Sequence, residues 1–331
     1  MEIIFYSAKR YDNEYFNLSN EKYQHKLRFV EDRLTPETVD LIKQESVVCA
    51  FVNDVLDQEV LSLLAQRGVK LVALRCAGFD NVDLNAAKKH NIKVIRVGSY
   101  SPNSVAEHAL CLMLALNRKV YESYNRVKDG NFSIDGLLGF DFSGKTIGII
   151  GTGKIGLILS RITQAMGMRV IAYDLVKNPE CEKLGVEYVD IDTVFAQSDV
   201  ISLHCSLNKS TKHFIDASAL NKMKDSVMLI NTSRGAVIDT CAAVEALKSK
   251  KIGYLGMDVY ENEQGLFFED LSCQTIEDSV FNSLLSFPNV LITSHQGFFT
   301  KNALENIANT TLGNIQKFEQ GVDLSDEELQ R

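Results

Sequence analysis

The sequence lacks the features that would indicate a nucleic-acid or membrane partner. It has no long block of Lys and Arg, and 43 acidic residues outnumber 35 basic ones, which gives a net charge of −8. Binding to nucleic acid needs a basic surface, so this balance argues against it. The best candidate for a membrane span, 105–116, carries Glu107 and His108 and falls short of the ~20 apolar residues required. We therefore expect neither partner.

The cysteines show no pairing pattern. They number seven, an odd count, and none forms a C-x-x-C pair. The apolar start of the chain is short and favours a first strand over a secretion signal. These observations predict reduced thiols in a cytoplasmic protein. No Cys or His residues have zinc-like spacing, so we predict no metal site.

What is present is the pattern of an α/β protein. A length of 331 residues corresponds to roughly two domains at ~150 residues each. Apolar bursts alternate with helical patterns, which predicts two doubly wound parallel-sheet domains, Rossmann-like or flavodoxin-like. One apolar stripe over 101–128 predicts a single long helix. We place the cofactor domain at 101–298 and a discontinuous substrate (catalytic) domain at 1–100 plus 299–331.

A glycine fingerprint opens the second domain. Gly151, Gly153 and Gly156 form G-x-G-x-x-G between an apolar strand and an apolar helix. The first glycine permits a tight turn, the second lets the backbone approach a pyrophosphate, and the third allows close helix packing. Asp174 ends the next strand, where a carboxylate binds ribose hydroxyls and repels a 2′-phosphate, so NAD is preferred to NADP. The alternative is a structural glycine turn with an incidental Asp.

Three polar groups follow later strands of the same domain. Arg234 lies in Asn-Thr-Ser-Arg-Gly, Glu263 in an acidic loop, and His295 in Ser-His-Gln. Each alone has a plain alternative: a surface ion pair, a solvated acid or a structural histidine. Ligands of open α/β sheets bind beyond the carboxyl ends of the strands, so the recurrence favours one catalytic site. An arginine fork there suits a carboxylate substrate.

These residues resemble the Arg, Glu and His of the D-2-hydroxyacid dehydrogenases. The resemblance covers nearly the whole chain and includes segments 74–83, 101–108 and 203–207. Segments 265–270 and 295–303 are similar to the fermentative, D-lactate-forming branch of that family. The resemblance implies reduction of a 2-oxo acid by NADH, with pyruvate and D-lactate as the substrate pair.

The resemblance also implies roles for the site residues. Arg234 would bind the substrate carboxylate, and His295 would exchange a proton with the substrate oxygen. Glu263 would orient the His295 ring and favour its protonated form. Backbone amides near Ala77 and Gly78 would complete the carboxylate site in a cleft between the domains.

A wider set of contacts rests on the resemblance alone. Core packing is an equal alternative for the apolar members. Ser206 stands where many relatives have Pro, and Gly297 where Ala is common. The cofactor set adds Lys154, Ile155, Cys205, Ser206, Thr211, Thr232, Ser233 and Asp258 to the fingerprint residues and Arg234. The substrate set adds Phe51, Tyr100 and Phe298 to Ala77, Gly78, Arg234 and His295.

Several alternatives remain open at this level. His108 and His204 compete with His295 for the catalytic role, and we assign both to structure or cofactor packing. A bulkier 2-oxo acid such as phenylpyruvate is an alternative substrate. A noncatalytic NAD-sensing interaction protein is an alternative of another class. The family resemblance implies a homodimer or homotetramer.

Overall fold

Short apolar segments form the strands of two parallel sheets, one in each of two units. The computed structural model describes residues 1–324 and 328–329. Unit 1 comprises Met1–Ser101 and Phe299–Arg331, and unit 2 comprises Pro102–Phe298. The α/β class with two doubly wound parallel sheets is thereby confirmed. Among the described residues, no helix is long and apolar enough to span a membrane.

Unit 1 contains a five-stranded sheet in the order β2-β1-β3-β4-β5, with all pairs parallel. This is a flavodoxin-like order. All residues of β3 and β4 are buried, as expected for central strands covered on both faces. The strands are β1 (Glu2–Phe5), β2 (Lys26–Phe29), β3 (Val47–Ala50), β4 (Leu71–Leu74) and β5 (Lys93–Arg96).

The helices of unit 1 include the last helix of the chain, which packs along the first. They are α1 (Arg10–Tyr23), α2 (Gln58–Gln66), α3 (Leu84–Lys89) and α12 (Lys301–Glu319), with a 3-10 turn at Thr38–Leu41. Asp57, Asp83 and Thr300 cap three of these helices by accepting a hydrogen bond from a backbone N–H of the first turn.

Unit 2 contains a seven-stranded parallel sheet in the order β12-β11-β10-β9-β6-β7-β8. The strand order reverses at β6, so the point where dinucleotides bind in such sheets lies between β6 and β9. The strands are β6 (Thr146–Ile150), β7 (Arg169–Tyr173), β8 (Glu187–Tyr188), β9 (Val200–Leu203), β10 (Val227–Asn231), β11 (Ile252–Met257) and β12 (Val290–Ile292).

Two helices of unit 2 precede its first strand, and the others connect its strands. Helix α4 packs against α6, β10 and β11. The helices are α4 (Pro102–Arg118), α5 (Val120–Lys128), α6 (Lys154–Ala165), α7 (Pro179–Lys183), α8 (Ile191–Gln197), α9 (Ala217–Lys222), α10 (Thr240–Lys248) and α11 (Ser279–Ser286).

The prediction of one long helix over 101–128 is wrong. Lys119 has φ 46°, in the left-handed region, and separates α4 from α5. The buried stripe of α4 continues to Leu116, whereas α5 has no buried residue. The apolar periodicity therefore continues in the sequence after the packing that supports a straight helix has ended.

Candidate active site

The candidate catalytic residues lie in loops that leave three neighbouring strands. Strands β10, β11 and β12 pair in parallel, with Asn231 opposite Met257 and Met257 opposite Ile292. The loops after these strands therefore begin side by side. They carry Arg234, Glu263 and His295, respectively.

His295 and Glu263 form a hydrogen-bonded pair. The Nδ1 of His295 lies 2.8 Å from Oε1 of Glu263, and the backbone N–H of Tyr260 donates to Oε2 at 3.1 Å. The two side chains are only 16% and 17% exposed. A carboxylate accepts hydrogen bonds, so Nδ1 is the donor in this contact and Nε2 is left available for a ligand. The pair is thus suited to general acid–base chemistry.

The backbone of His295 adopts an uncommon conformation. Its φ is 54°, in the left-handed region that non-glycine residues rarely enter. Its N–H donates to the carbonyl of Asp258 at 2.7 Å. The carboxylate of Asp258 accepts from the N–H groups of Gln296 and Gly297, each at 2.8 Å. The turn that carries His295 is therefore attached at three successive residues to Asp258.

Asp258 is a buried carboxylate, with 2% exposure. Burial alone would raise its pKa, but hydrogen bonding and charge from His108, together with the Thr293 hydroxyl, hold the pKa below its ordinary value. Asp258 is therefore an ionised group with several donors around it.

The loop of Arg234 is shaped by Asn231 and Gly235. Asn231 Nδ2 donates to the carbonyl of Arg234 at 2.9 Å, and its Oδ1 accepts from the N–H and hydroxyl of Ser233. A Cβ at position 235 would lie 2.0 Å from the carbonyl carbon of Tyr260, so only glycine permits this close approach. Hence the Arg234 loop packs against the loop that carries Glu263.

The glycine fingerprint forms a cradle at the start of α6. Gly151 has φ 96°, and a Cβ there would lie 2.7 Å from the carbonyl of His204. A Cβ on Gly156 would lie 2.1 Å from the carbonyl oxygen of Gly151, whereas one on Gly153 would meet nothing within 4 Å. Packing therefore requires two of the glycines, and the third leaves open space before the helix N-terminus. A pyrophosphate fits such a place, because the helix presents N–H groups there.

Asp174 follows β7 and is joined to the same turn. Its Oδ2 accepts from the N–H and hydroxyl of Thr152 at 2.6 and 3.1 Å, and its Oδ1 accepts from the N–H of Val176 at 3.3 Å. A carboxylate offers about four acceptor positions, so a ribose hydroxyl can bind beside these donors. The half-buried acid also disfavours a 2′-phosphate through like charge.

Comparison with known proteins agrees with this geometry. Residues 110–297 match the family model for the D-isomer specific 2-hydroxyacid dehydrogenase, NAD binding domain. The chain is 52% identical to a 2-hydroxyacid dehydrogenase homolog of Haemophilus influenzae, covering 97% of each chain. It is 50% identical to the D-lactate dehydrogenase of Escherichia coli, covering 97% of this chain and 98% of that one. The D-lactate dehydrogenase of Aquifex aeolicus complexed with NAD and lactic acid has a TM-score of 0.89 at 32% identity, with 99% of both chains covered.

The chain belongs to the D-isomer-specific 2-hydroxyacid dehydrogenase family. It is an oxidoreductase with NAD as its cofactor. The family resemblance and the NAD cofactor inferred from the sequence are thereby confirmed. The open space at Gly153 and the carboxylate of Asp174 fit NAD.

The further cofactor candidates of this dehydrogenase lie at the start of α6 and in the loops after β9, β10 and β11. The backbone N–H group of Cys205 lies close to Gly151, and burial raises the pKa of the Cys205 thiol to about 11. Thr211 Oγ1 donates to the carbonyl of Ser206 at 2.6 Å and so shapes that loop. Thr232 Oγ1 is buried and has no hydrogen-bond partner among the described residues. Lys154 and Ile155 begin α6.

The substrate candidates of unit 1 follow its strands. Phe51, after β3, stacks on the guanidinium of Arg75 with 4.7 Å between the Arg75 Cζ and the ring centroid. The carbonyl of Ala77 accepts from Arg96 Nη1 at 2.9 Å, and that of Gly78 accepts from a cysteine thiol at 3.3 Å. The carbonyl of Tyr100 accepts from an asparagine of α12 at 2.8 Å.

Phe298 belongs to unit 2 and lies beside the candidate acid–base pair. Its ring centroid is 6.4 Å from that of Phe268, and the Phe268 ring is in turn 5.9 Å from the ring of His295. An aromatic wall therefore adjoins the catalytic candidate within its own unit.

The two rival histidines have distinct surroundings. His204 Nε2 lies 2.9 Å from the hydroxyl of Ser202, and its Nδ1 is buried without a partner among the described residues. Burial lowers the pKa of His204 to about 4, which keeps the ring neutral. His108 instead contacts Asp258 and Thr293. Sequence reasoning missed this network, since residues 108, 258 and 293 share no local pattern.

Among the residues described, no group of His, Cys, Asp and Glu side chains is arranged to hold a metal ion.

Proposed function

We propose that this protein is an NAD-dependent D-lactate dehydrogenase that reduces pyruvate to D-lactate reversibly. The observation that carries the proposal is the His295–Glu263 pair, 2.8 Å apart, beside the loop of Arg234. Similarity to D-lactate dehydrogenases of other organisms supports pyruvate as the substrate. The role is fermentative reoxidation of NADH in the cytoplasm.

In this proposal the residues of unit 2 hold the cofactor and the reacting group. The turn at Gly153 and the N-terminus of α6 bind the pyrophosphate, and Asp174 binds the ribose. Thr232, with its unsatisfied hydroxyl, and Asp258 contact the cofactor beyond the ends of β10 and β11. When bound, NADH supplies the hydride that reduces the carbonyl carbon.

The chain's own groups carry out the remaining chemistry. Arg234 binds the carboxylate of the 2-oxo acid through its planar fork of donors. His295 donates the proton on Nε2 to the carbonyl oxygen, which becomes the hydroxyl of the product, and accepts it in the reverse direction. Glu263 orients the ring through the hydrogen bond at Nδ1.

We assign unit 1 as the substrate domain and unit 2 as the NAD-binding domain. Amides at Ala77 and Gly78 are the candidates for further carboxylate contacts. Phe51, Tyr100 and Phe298 are the candidates around the substrate side chain. The Phe298 ring, which contacts Phe268 beside His295, supports its place in this set.

A steady-state assay tests the proposal. NADH oxidation is measured with pyruvate and with a series of 2-oxo acids of increasing side-chain size up to phenylpyruvate, and the product is resolved by chirality. We expect the highest kcat/KM with pyruvate, a D product and weaker use of NADPH. A higher kcat/KM with phenylpyruvate would assign a bulkier substrate. NADH binding without turnover of any 2-oxo acid would favour a noncatalytic NAD-sensing protein.

We further propose a homodimer or homotetramer. Helix α5 and the loop after it expose several large apolar side chains: Val120, Tyr124, Val127, Phe132, Ile134 and Leu138. Monomers rarely expose apolar patches of this kind, and association between copies would cover them. Light scattering after size exclusion should give at least twice the mass of 37.0 kDa, and a monomer at micromolar concentration would contradict the proposal.

A further inference from the structure

A second histidine–carboxylate pair adjoins the turn that carries His295. His108, on α4, places Nε2 3.2 Å from Oδ1 of Asp258 and 3.0 Å from the hydroxyl oxygen of Thr293. The Thr293 hydroxyl lies 2.6 Å from the same Oδ1. Three side chains from distant parts of the sequence therefore form one network. The side chains of His108 and Asp258 in it are 13% and 2% exposed.

The direction of each hydrogen bond in this network follows from the available protons. Asp258 is ionised and can only accept, so the single proton of the Thr293 hydroxyl is donated to Oδ1. The hydroxyl oxygen then accepts, and Nε2 of His108 must carry the proton that it donates. The single Nε2–H of His108 is thus donated to the Thr293 hydroxyl and also lies close to Oδ1 of Asp258. Its loss would leave a buried carboxylate and a hydroxyl with fewer partners.

The network holds the backbone on both sides of His295. Thr293 N–H donates to the carbonyl of Met257 at 2.9 Å, and His295 N–H donates to that of Asp258 at 2.7 Å. The next two N–H groups, of Gln296 and Gly297, donate to the Asp258 carboxylate. A residue with φ 54° retains that conformation only where its surroundings fix it.

We infer that His108 is a positioning residue for the reduction. Acting through Thr293 and Asp258, it fixes the backbone of residues 293–297 and thereby the direction in which His295 presents Nε2. The reaction that this positioning serves is the one given under the proposed function, and the inference rests on it to that extent. This positioning role differs from a purely structural role, which would lower stability and leave turnover of the folded enzyme unchanged.

Matched variants of Thr293 and His108 test the inference. Thr293→Val removes the hydroxyl and keeps the shape, while Thr293→Ser keeps the hydroxyl. His108→Leu removes the donor, and His108→Gln retains an N–H donor. At saturating NADH we expect kcat for pyruvate to fall about tenfold to a hundredfold in T293V and H108L. The KM for pyruvate should change less than about threefold, because Arg234 lies on another loop.

The conservative variants and the double variant provide the controls. T293S and H108Q should retain kcat within about threefold of the wild type. The double variant H108L/T293V should be no slower than the slower single variant, because both remove the same support. Hydrogen exchange of the amides at 295–297 should accelerate in T293V and return to the wild-type rate in T293S.

The outcomes are distinguishable from failure of the proposed function. Wild-type kcat in T293V, unchanged exchange at 295–297, or multiplied losses in the double variant would each overturn the positioning role. If H108L does not fold, T293V decides, because valine fills the same space. If the wild type does not turn over pyruvate, the proposed function fails, and the exchange rates of T293V and T293S alone decide the inference.

Discussion

Two histidine–glutamate pairs of unit 2 use glutamates from the same loop but differ in their surroundings. Glu263 pairs with His295, and Glu261 forms a hydrogen bond with Nε2 of His213. Glu261 also accepts from the hydroxyl of Thr240 at 3.1 Å. The side chain of His213 is 38% exposed, against 16% for His295.

The two pairs occupy different positions in unit 2. His295 follows β12, beside the loops of β10 and β11. His213 lies in the loop between β9 and α9, and its N–H donates to the carbonyl of Ala236 at 2.8 Å. Both loops leave the carboxyl ends of strands, so the pairs differ in exposure and neighbours: His295 is the less exposed, and its ring lies 5.9 Å from that of Phe268. We therefore expect the His295–Glu263 pair, and not the His213–Glu261 pair, to act on the ligand.

Removal of the His295 ring should have the largest effect. We expect His295→Ala to lower kcat/KM for pyruvate by about 10²- to 10⁴-fold, because the proton donor is lost. The affinity for NADH, measured by its fluorescence, should stay close to that of the wild type. His213→Gln is the matched control, and an equal loss in that variant would remove the distinction between the pairs.

His204 extends the comparison to a histidine without a carboxylate partner. Burial lowers its pKa from 6.5 to about 4, so the unfolded chain binds a proton that the folded chain does not between these pH values. The free energy of unfolding should therefore fall as pH drops from about 6.5 to about 4, by up to about 3 kcal/mol. Urea unfolding of the wild type and His204→Gln between pH 7 and 4.5 measures this. The variant should lack this part of the pH dependence. If the free energy of unfolding changed equally with pH in both proteins, the prediction would be contradicted.

Neutralising Glu263 should have a smaller effect than removing the ring. Glu263→Gln keeps an oxygen near Nδ1 but replaces a charged hydrogen-bond acceptor by a neutral one, so the ring is held less firmly. We expect kcat/KM to fall about tenfold to a hundredfold. Steady-state kinetics of the variant check this, with Glu261→Gln as the matched control. Wild-type kcat/KM in Glu263→Gln would show that Glu263 does not position His295.

Breaking the His213–Glu261 pair should give the smallest effect. We expect His213→Gln to retain kcat within about twofold and to lose at most about 1 kcal/mol of stability, because solvent screens a partly exposed ion pair. Thermal unfolding and the pyruvate assay measure both quantities. A tenfold loss of turnover with little change in stability would place His213 in the reaction.

The sequence predicted best where function depends on short local patterns. Gly151, Gly153 and Gly156 could be placed because the flanking strand and helix define where the turn needs close packing and where it needs open space. A shared position for Arg234, Glu263 and His295 was expected because parallel strands end at one edge of the sheet, and the family resemblance implied the contact between Glu263 and His295. The catalytic and binding roles of these residues stay predictions until the variants are measured.

Other features depend on packing that no local pattern reports. The contact between His108 and Thr293 joins a helix and a strand end that are far apart in sequence. The break at Lys119 arises where tertiary packing ends, although the apolar period continues. Helix α1 and strand β2 were missed because α1 buries only Asp12 and Phe16, and β2 has no fully buried residue. Periodicity is weak where burial is slight.

The discontinuity of unit 1 has a consequence for synthesis of the chain. The last strand of unit 1 ends at Arg96, but the helix that packs against α1 begins only at Lys301. At 5–20 residues per second, the intervening stretch of about 200 residues takes roughly 10–40 s to translate. Throughout that time α1 has been synthesised but α12, which packs against it, has not. All seven strands of unit 2 are therefore synthesised before the final helix of unit 1.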